Sequence, residues 1–396
     1  MAVSDVSKDR PRTNANLLND PTVRSIIYQI LAIGGTALFI WYLASNTIEN
    51  LERQQIASGF GFLDREAGYE LSESPIEYSA QDTYGRAFMV GLLNTFKVAF
   101  IGIILATVLG TIIGIARLST NWLVAKLAAV YVETLRNIPL LLQLFLWYAF
   151  ITESLPGPRQ AINPGAGVFL SNRGFKFPVP EAHPAFTFAF LAFLVALAGA
   201  YLISRWAKRR QDLTGEQFPT FWAGLGLVIV LPVLAWLFGG APTAMSIPEL
   251  TGFNFQGGAT FSPEFAALLF GLATYTAAFI AEIVRSGIMA VAHGQTEAAR
   301  ALGLHPGQNL RLVVLPQALR IIIPPTTSQY LNLTKNSSLA VAIGYPDLVA
   351  VGNTTLNQTG QALEAIGIFM AVYLGLSLSI SAFMNWYNAR IALKER

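Results

Sequence analysis

The polar residues best suited to binding a small charged ligand lie inside an apolar run at residues 319–343. They are Asn332, Thr334, Lys335, Asn336, Ser337 and Ser338. Lys335 can supply positive charge to a carboxylate, and the amide and hydroxyl groups can bind either end of a zwitterion. Ser and Asn also form hydrogen bonds between membrane helices, so helix packing is an equally good interpretation. The cluster therefore predicts either a site for a zwitterion or a polar contact between helices.

Lys335 is the most informative member of this cluster because of its distance from water. It lies about 16 residues from position 319 and from position 350, which is about 24 Å at the rise of a helix. A lysine stem cannot reach the interface over that distance along a lipid-facing route. We therefore expect Lys335 to act on a substrate carboxylate or on a neighbouring carboxyl group.

Two acid–base pairs lie within other apolar runs. Glu133 precedes Arg136 by three residues and Glu282 precedes Arg285 by three, a spacing that lets each pair meet on one helix face. Because buried charge is costly, the simpler interpretation is that each pair, within one helix or between helices, neutralises charge and holds a bundle together. The alternative is that these intramembrane ion pairs form part of a gate.

Several classes of chemistry lack the residues they need. The absence of Cys excludes disulfides, thiol catalysis and cysteine metal sites, and the three His residues are too scattered in sequence to suggest a metal cluster. No Gly-rich phosphate loop ending in Lys-Ser or Lys-Thr occurs, and neither an HExxH motif nor a Ser-His-Asp set accompanies the apolar runs. We expect a chain that is not an enzyme, needs no cofactor or metal, and does not hydrolyse ATP itself.

The elements that position these residues are predicted to be membrane helices. The chain has 396 residues, of which 53% are hydrophobic and 12% charged, and its mean hydropathy is +0.49. A soluble domain carries about twice that charged fraction. Apolar runs of about 20 residues match the length of a helix that crosses a bilayer. A net charge of only +3 gives no support for a nucleic-acid partner.

The runs predict an all-α integral membrane protein with about eight transmembrane helices. The predicted spans are 25–46, 88–116, 122–151, 186–204, 221–238, 263–289, 319–343 and 364–387. The first run is longer than a signal-peptide core, so we expect it to be retained. Basic residues follow the fourth span at Arg205, Lys208, Arg209 and Arg210 and the last at Arg390, Lys394 and Arg396, which predicts that both termini are cytoplasmic.

One polar connection between spans, residues 297–316, has the sequence EAARALGLHPGQNLRLVVLP. Its alanines favour a short helix, and Gly303 offers a left-handed stop. Small side chains would let such a helix seat deeply in a groove on a partner protein, with Glu297 and Arg300 making polar contacts at the rim. The simpler interpretation is an ordinary amphipathic connector.

The spacing in this connection resembles the EAA loop of importer permeases: Glu-Ala-Ala, three residues, Gly, nine residues, an aliphatic residue, one residue, Leu-Pro. Each fixed position is matched, from Glu297 to Pro316. Other segments resemble polar amino acid permeases, namely GLLNT at 91–95, YVETLRNIPLLLQ at 131–143, AEIVRSG at 281–287, GQ at 294–295 and TKNSSLA at 334–340. The segment FLSNRG at 169–174 is more narrowly similar to broad-specificity L-amino acid permeases.

The resemblance implies a fold and a domain organisation. Spans two, three, six, seven and eight would form a five-helix permease core, to which three helices have been added. The expected organisation is a cytoplasmic tail at 1–24, an additional helix at 25–46, a periplasmic loop at 47–85 and a permease domain at 86–396. That domain would contain a periplasmic insertion with extra helices at 152–262 and a cytoplasmic coupling loop at 290–316.

The resemblance also implies a function. The chain would be the multi-pass, inner-membrane subunit of an ATP-binding-cassette importer for amino acids that a periplasmic binding protein delivers. Its partners would be two ABC ATPase subunits, a second membrane permease subunit and the lipid bilayer; we expect the second subunit to be a paralogue, with an identical copy left open. The ATPase-coupling residues would be Glu297, Ala298, Ala299, Arg300 and Gly303. The alternative is an ion-coupled secondary transporter, although the sequence shows no convincing internal repeat.

Overall fold

The computed structural model describes residues 21–53 and 58–391. The helices are α1 Pro21–Arg53, α2 Tyr84–Ala116, α3 Trp122–Asn137, α4 Leu140–Ala149, α5 Pro184–Thr214, α6 Thr220–Phe238, α7 Pro263–Met289, α8 His293–Ala301, α9 Pro306–Asn309, α10 Leu315–Asn336, α11 Leu348–Thr359 and α12 Ala362–Ile391. The strands are β1 Ile162–Gly165, β2 Val168–Ser171, β3 Gly174–Phe177, β4 Val179–Pro180, β5 Met245–Ser246, β6 Glu249–Thr251, β7 Asn254–Gln256 and β8 Ala259–Phe261. Most of the predicted N-terminal tail, and both Lys394 and Arg396, lie outside the described residues.

The predicted all-α membrane fold is confirmed. Six helices of the described chain are long and apolar enough to cross a membrane, and the number reaches eight if each of two bent helix pairs counts as one span. One bent pair is α3 and α4, which the sequence predicted as a single span. These helices meet at 105°. The break occurs at Ile138, which has φ −93° and ψ 127°, because the residue before a proline avoids helical geometry.

The second bent pair lies at the seventh predicted span. Here α10 continues as a 3-10 turn, Ser337–Ile343, and then bends by 52° into α11. Gly344 ends the turn with a φ of +80°, a conformation that favours glycine. The sequence predicted a single span at 319–343 and did not predict α11 as a separate helix.

The centre of the bundle is built on close contact between parallel helices α2 and α7. A Cβ atom at Gly110 would lie 2.7 Å from Ile280 Cβ, and one at Gly114 would lie 2.6 Å from the Ala281 carbonyl oxygen. Small residues of this kind let membrane helices approach closely. Helix α10 runs antiparallel to both, and a Cβ atom at Gly287 would lie 2.4 Å from Ile322 Cγ1. Helices α2, α7 and α10 therefore form one tightly packed unit.

Residues 58–83, called the strap below, cover the end of the bundle where α2 begins. Backbone hydrogen bonds join the two arms of the strap, including Ala67 N to Asp82 O at 2.8 Å and Gly68 N to Ala80 O at 2.9 Å. An apolar cluster holds the strap to α2, α11 and α12, and its buried members are Phe62, Ala67, Tyr84, Ala87, Phe88, Leu348, Val351 and Ala365. We call this the strap end of the bundle and the opposite end the α8 end.

Small β-sheets lie at the strap end, and the sequence did not predict them. One sheet has the antiparallel order β1-β2-β3-β8, and two further pairs are β4-β5 and β6-β7. Gly174 is required in the first sheet because its φ is +102° and a Cβ atom there would lie 2.1 Å from the Phe261 carbonyl oxygen. Strand β8 leads directly to Ser262, the N-cap of α7, so the sheet is anchored to the bundle.

The remaining helices lie apart from this packed unit. The main contacts of α5 and α6 within the described chain are with each other. The most apolar window of α1 has no buried residue. That α1, α5 and α6 are additions to a five-helix core stays a prediction.

Candidate functional site

The first candidate site is the predicted coupling helix, α8. Its C-terminus is closed by hydrogen bonds from Leu302 N to Ala298 O at 3.1 Å, Gly303 N to Arg300 O at 2.9 Å and Leu304 N to Ala299 O at 3.1 Å. Gly303 follows the helix with φ +79°, the left-handed geometry of a glycine stop. The chain therefore contains a short, well-defined helix with a sharp end.

Helix α8 is anchored on one face and free on the other. Ala299 is buried, whereas the side chain of Glu297 is exposed and lies 3.0 Å from His293 Nδ1. Leu302, at the tip, is 82% exposed, and apart from Gly303 and its two chain neighbours no described residue has an atom within 4 Å of the position of a Cβ on Gly303. Leu302 and Gly303 therefore leave the tip of α8 accessible within the described chain.

The connection from α8 back into the bundle is short. A π-helical turn, Leu310–Val314, joins α9 directly to α10. Gln317 at the start of α10 donates to Gln295 of α8 through a 3.4 Å bond and to the Val313 carbonyl at 3.1 Å. Since α7 also ends only four residues before α8 begins, α8 is tied to two central helices and its displacement would move both.

The second candidate site is a charged network near the α8 end. The guanidinium of Arg117, the residue after α2, contacts the Glu282 carboxylate of α7 and lies 3.7 Å from that of Glu133 on α3. Arg285 donates to Glu282 Oε1 at 2.6 Å. Arg117 is only 14% exposed. The network therefore joins three helices through one arginine.

This network differs from the pairing expected from sequence. Glu282 and Arg285 meet on one helix as expected, but no ion pair joins Glu133 to Arg136 among the described residues. Arg136 instead lies 5.1 Å from the ring centroid of Phe279. Glu133 instead faces the end of α2, where its carboxylate lies 3.7 Å from the Arg117 guanidinium. Sequence analysis had not singled out Arg117 as a member of this network.

The third candidate site is α10, where six polar residues were predicted to bind substrate. Thr334 and Ser337 are buried, and their hydroxyls donate to the carbonyls of Tyr330 at 2.9 Å and of Thr334 at 2.7 Å. The Ser338 hydroxyl donates to the Lys335 carbonyl at 2.8 Å. These three hydroxyls are therefore engaged by the helix itself.

Asn332 and Lys335 have a different environment from those three residues. Both are exposed, and Ser328 and Pro325 lie on the same face at intervals of three or four residues, while Asn336 is half-buried. The spacing predicts Ser328 as a member of this face, although sequence reasoning missed it. Leu333, on the buried side, packs on Gly102 near the middle of α2, so this polar face lies near mid-length of the bundle.

Comparison with known proteins gives a consistent result. Residues 100–393 match the family described as the binding-protein-dependent transport system inner membrane component. The chain is 52% identical over 377 residues to the general L-amino acid transport system permease protein AapQ of Rhizobium johnstonii, covering 95% of this chain and 94% of that protein. It is 52% identical over 379 residues to the putative amino-acid ABC transporter permease protein YhdX of Escherichia coli, covering 95% and 96%.

A third relative is somewhat more distant. The chain is 44% identical to the glutamate/glutamine/aspartate/asparagine transport system permease protein BztB of Rhodobacter capsulatus, and the match covers 96% of each protein. The similarity to all three relatives thus extends through the strap, the β-strands and α5–α6 as well as the central helices.

Proposed function

The chain belongs to the family of binding-protein-dependent transport system inner membrane components, and on that premise we propose that it is the transmembrane subunit of an amino acid importer driven by ATP-binding-cassette ATPases. The observation that carries the proposal is the match, over nearly the whole chain, to permeases named for amino acid transport. The chain is a multi-pass membrane protein and a transport subunit without catalytic activity of its own. ATP is hydrolysed by separate subunits.

Coupling to the ATPases is assigned to α8. Its free face carries Glu297, Ala298 and Arg300, and its tip carries Leu302 and Gly303. In this proposal an ATPase subunit binds that face, and its movement passes through the short connections into α7 and α10. Arg117 would keep α2 and α3 moving with α7, because it contacts carboxylates on α3 and α7 at the same end.

The proposed orientation places the α8 end in the cytoplasm and the strap end in the periplasm of a cell with an inner membrane. Its support is the distribution of basic residues. Helix α5 has 31 residues and begins directly after the first group of β-strands. Its basic residues lie toward its C-terminal end, at Arg205, Lys208, Arg209 and Arg210. Such clusters are retained on the cytoplasmic side. Both termini would then be cytoplasmic.

The substrate pathway is assigned to the exposed face of α10. Ser328, Asn332 and Lys335 form a polar row at mid-length of a membrane helix, where exposure to lipid would be costly. A second membrane subunit, a paralogue in this proposal, would cover that row and complete an aqueous path. Two ATPase subunits and a periplasmic amino acid-binding protein complete the assembly.

The competing function is ion-coupled transport, because bent helices such as α10–α11 are also found in secondary transporters. The test uses the whole complex in liposomes that contain ATP and Mg²⁺, with labelled L-amino acids and the binding protein outside. We expect uptake that requires ATP and persists after ionophores collapse the ion gradients. Uptake without ATP that stops with the gradients would overturn the proposal.

A further inference from the structure

The strap inserts one of its own carboxylates into the bundle. Glu73 lies between α2 and the start of α7, with its side chain 12% exposed. The Lys97 ammonium of α2 contacts Glu73 Oε1, and the Ser262 hydroxyl donates to Glu73 Oε2 at 2.5 Å. Ser262 also caps α7 by accepting from Phe265 N at 3.0 Å. Cation, hydroxyl and the N-terminus of a 27-residue helix together favour a carboxylate here.

Lys97 is held in place by an aromatic ring. Its ammonium lies 4.2 Å from the ring centroid of Phe265, a cation–π contact. The ring of Tyr345 packs against the same ring with centroids 5.9 Å apart. Phe265 therefore contacts both Lys97 and Tyr345.

Two buried polar atoms on residues that contact Phe265 or Glu73 lack hydrogen-bond partners among the described residues. The Tyr345 hydroxyl is one, and Tyr345 is fully buried. Asn94 Oδ1 is the other, although Asn94 Nδ2 donates to the carbonyls of Glu73 and Pro346, each at 2.9 Å. Buried polar groups are nearly always paired. The Tyr345 hydroxyl can donate to a carboxylate, and Asn94 Oδ1 can accept from an ammonium.

A cavity lies beside the chain segments that carry Glu73 and Tyr345. It has a volume of about 450 Å³ and lies between the strap and α11. Its lining includes Ser72, which precedes Glu73, together with Gly344 and Pro346 on either side of Tyr345. Asn353 and Asn357 of α11 line the opposite side. A small solute in this cavity would contact Ser72 and Pro346, the sequence neighbours of Glu73 and Tyr345.

We propose that Lys97, Ser262, Tyr345 and Asn94 form an outer binding site for an amino acid zwitterion, and that Glu73 fills this site as an internal ligand until substrate displaces it. The inference rests on the import function proposed above and adds the site that substrate meets first. The α-carboxylate takes the place of Glu73 on Lys97 and Ser262 and accepts from Tyr345. The ammonium donates to Asn94 Oδ1.

Exchange of one carboxylate for another explains why an internal ligand is useful. A partly buried lysine without a counter-charge is costly, and Lys97 is only 27% exposed. Glu73 supplies that counter-charge when substrate is absent, and substrate supplies it afterwards. Binding would therefore release the inner turn of the strap at the entrance without leaving Lys97 unpaired.

The alternative is that the Lys97–Glu73 ion pair only fastens the strap to the bundle. The two interpretations predict effects of different sign for Glu73→Ala on substrate binding. The test is equilibrium binding of labelled L-glutamine to the purified complex of membrane and ATPase subunits, without binding protein. Lys97→Met should weaken binding about tenfold or more, the cost of losing a charge-assisted contact. Glu73→Ala should tighten binding several-fold, because Glu73 no longer competes with L-glutamine for the site and so no longer lowers its apparent affinity.

The matched control is Arg86→Met. Arg86 also joins α2 to the strap, through the Glu77 carbonyl at 2.8 Å, but it does not contact the Glu73 carboxylate. We expect this variant to bind L-glutamine as the wild type does. The inference is overturned if Glu73→Ala weakens binding as Lys97→Met does, or if neither variant changes it.

The two proposals fail in distinguishable ways. If the wild-type complex imports no L-amino acid in an ATP-dependent manner, the proposed function fails. If wild-type import is normal but the two variants do not shift L-glutamine binding in opposite directions, only the outer site fails. Correct assembly of each variant is checked by its basal ATPase rate.

Discussion

Substitution of Gly303 tests whether backbone conformation or side-chain size controls α8. Gly303 has φ +79°, and a Cβ atom there would lie within 4 Å of no described residue other than Gly303 itself and its two chain neighbours. Within this chain the positive φ of residue 303, and not a steric clash with other residues, therefore disfavours a side chain at this position. Left-handed geometry costs an ordinary L-residue about 1–2 kcal/mol, and Asn tolerates it better than other residues.

These values predict an order of activity. Gly303→Asn should be the mildest change, Gly303→Ala should weaken coupling by about 1 kcal/mol, and Gly303→Val should weaken it most because β-branched residues rarely adopt positive φ. A cost of about 1–2 kcal/mol corresponds to a fall of about five- to thirtyfold in the population of the correctly ended helix. Insertion into the membrane should be unchanged.

The assay measures co-purification of the ATPase subunits and ATP-driven uptake for the three variants at equal amounts of inserted protein. Asn is larger than Ala, so the two explanations predict opposite orders for this pair. If a tight groove on the ATPase were decisive, Gly303→Ala would outperform Gly303→Asn. That result, or equal activity of all three variants, would refute the conformational explanation.

Further substitutions test the rest of the assignment. Arg117→Met should destabilise the complex by about 2 kcal/mol because it removes a partly buried charge partner, and a thermal-unfolding midpoint no lower than that of Arg136→Met would contradict this. Gly110→Leu should separate α2 from α7 and abolish assembly of the complex, as measured by size-exclusion chromatography. Gly224→Leu, on α6, should reduce assembly less. Lys335→Met should raise the amino acid concentration for half-maximal ATPase stimulation without changing basal hydrolysis; loss of assembly instead would indicate a structural ion pair.

Local physics explains what could be predicted. A span is recognised because about 20 successive apolar residues must satisfy their backbone within a helix in lipid, so the spans followed from the sequence. Helix α8 was predictable for a similar reason: its alanines and Gly303 act within a few residues of one another. The importer function was predicted from the family resemblance, because hydropathy and helix propensity do not indicate what a membrane protein transports.

The direction of the third span shows where local reasoning stopped. Pro139 is a visible signal for a break, since the preceding residue avoids helical geometry. The size of the bend, 105°, depends on how α3 and α4 pack against α7. That packing also determined that Glu133 meets Arg117 and that Arg136 meets Phe279.

The candidate substrate residues show the same division. The sequence alone identified a polar cluster on α10, but burial and hydrogen bonding in the folded chain separate exposed Asn332 and Lys335 from Thr334 and Ser337, whose hydroxyls bond to their own helix. The contact of Glu73 with Lys97 and Ser262 joins residues 24 and 189 positions apart. Hydropathy and helix propensity are properties of neighbouring residues, so the sequence by itself determined the membrane helices and α8. Which charges meet depends on the packing of distant segments, and only the tertiary structure decided it.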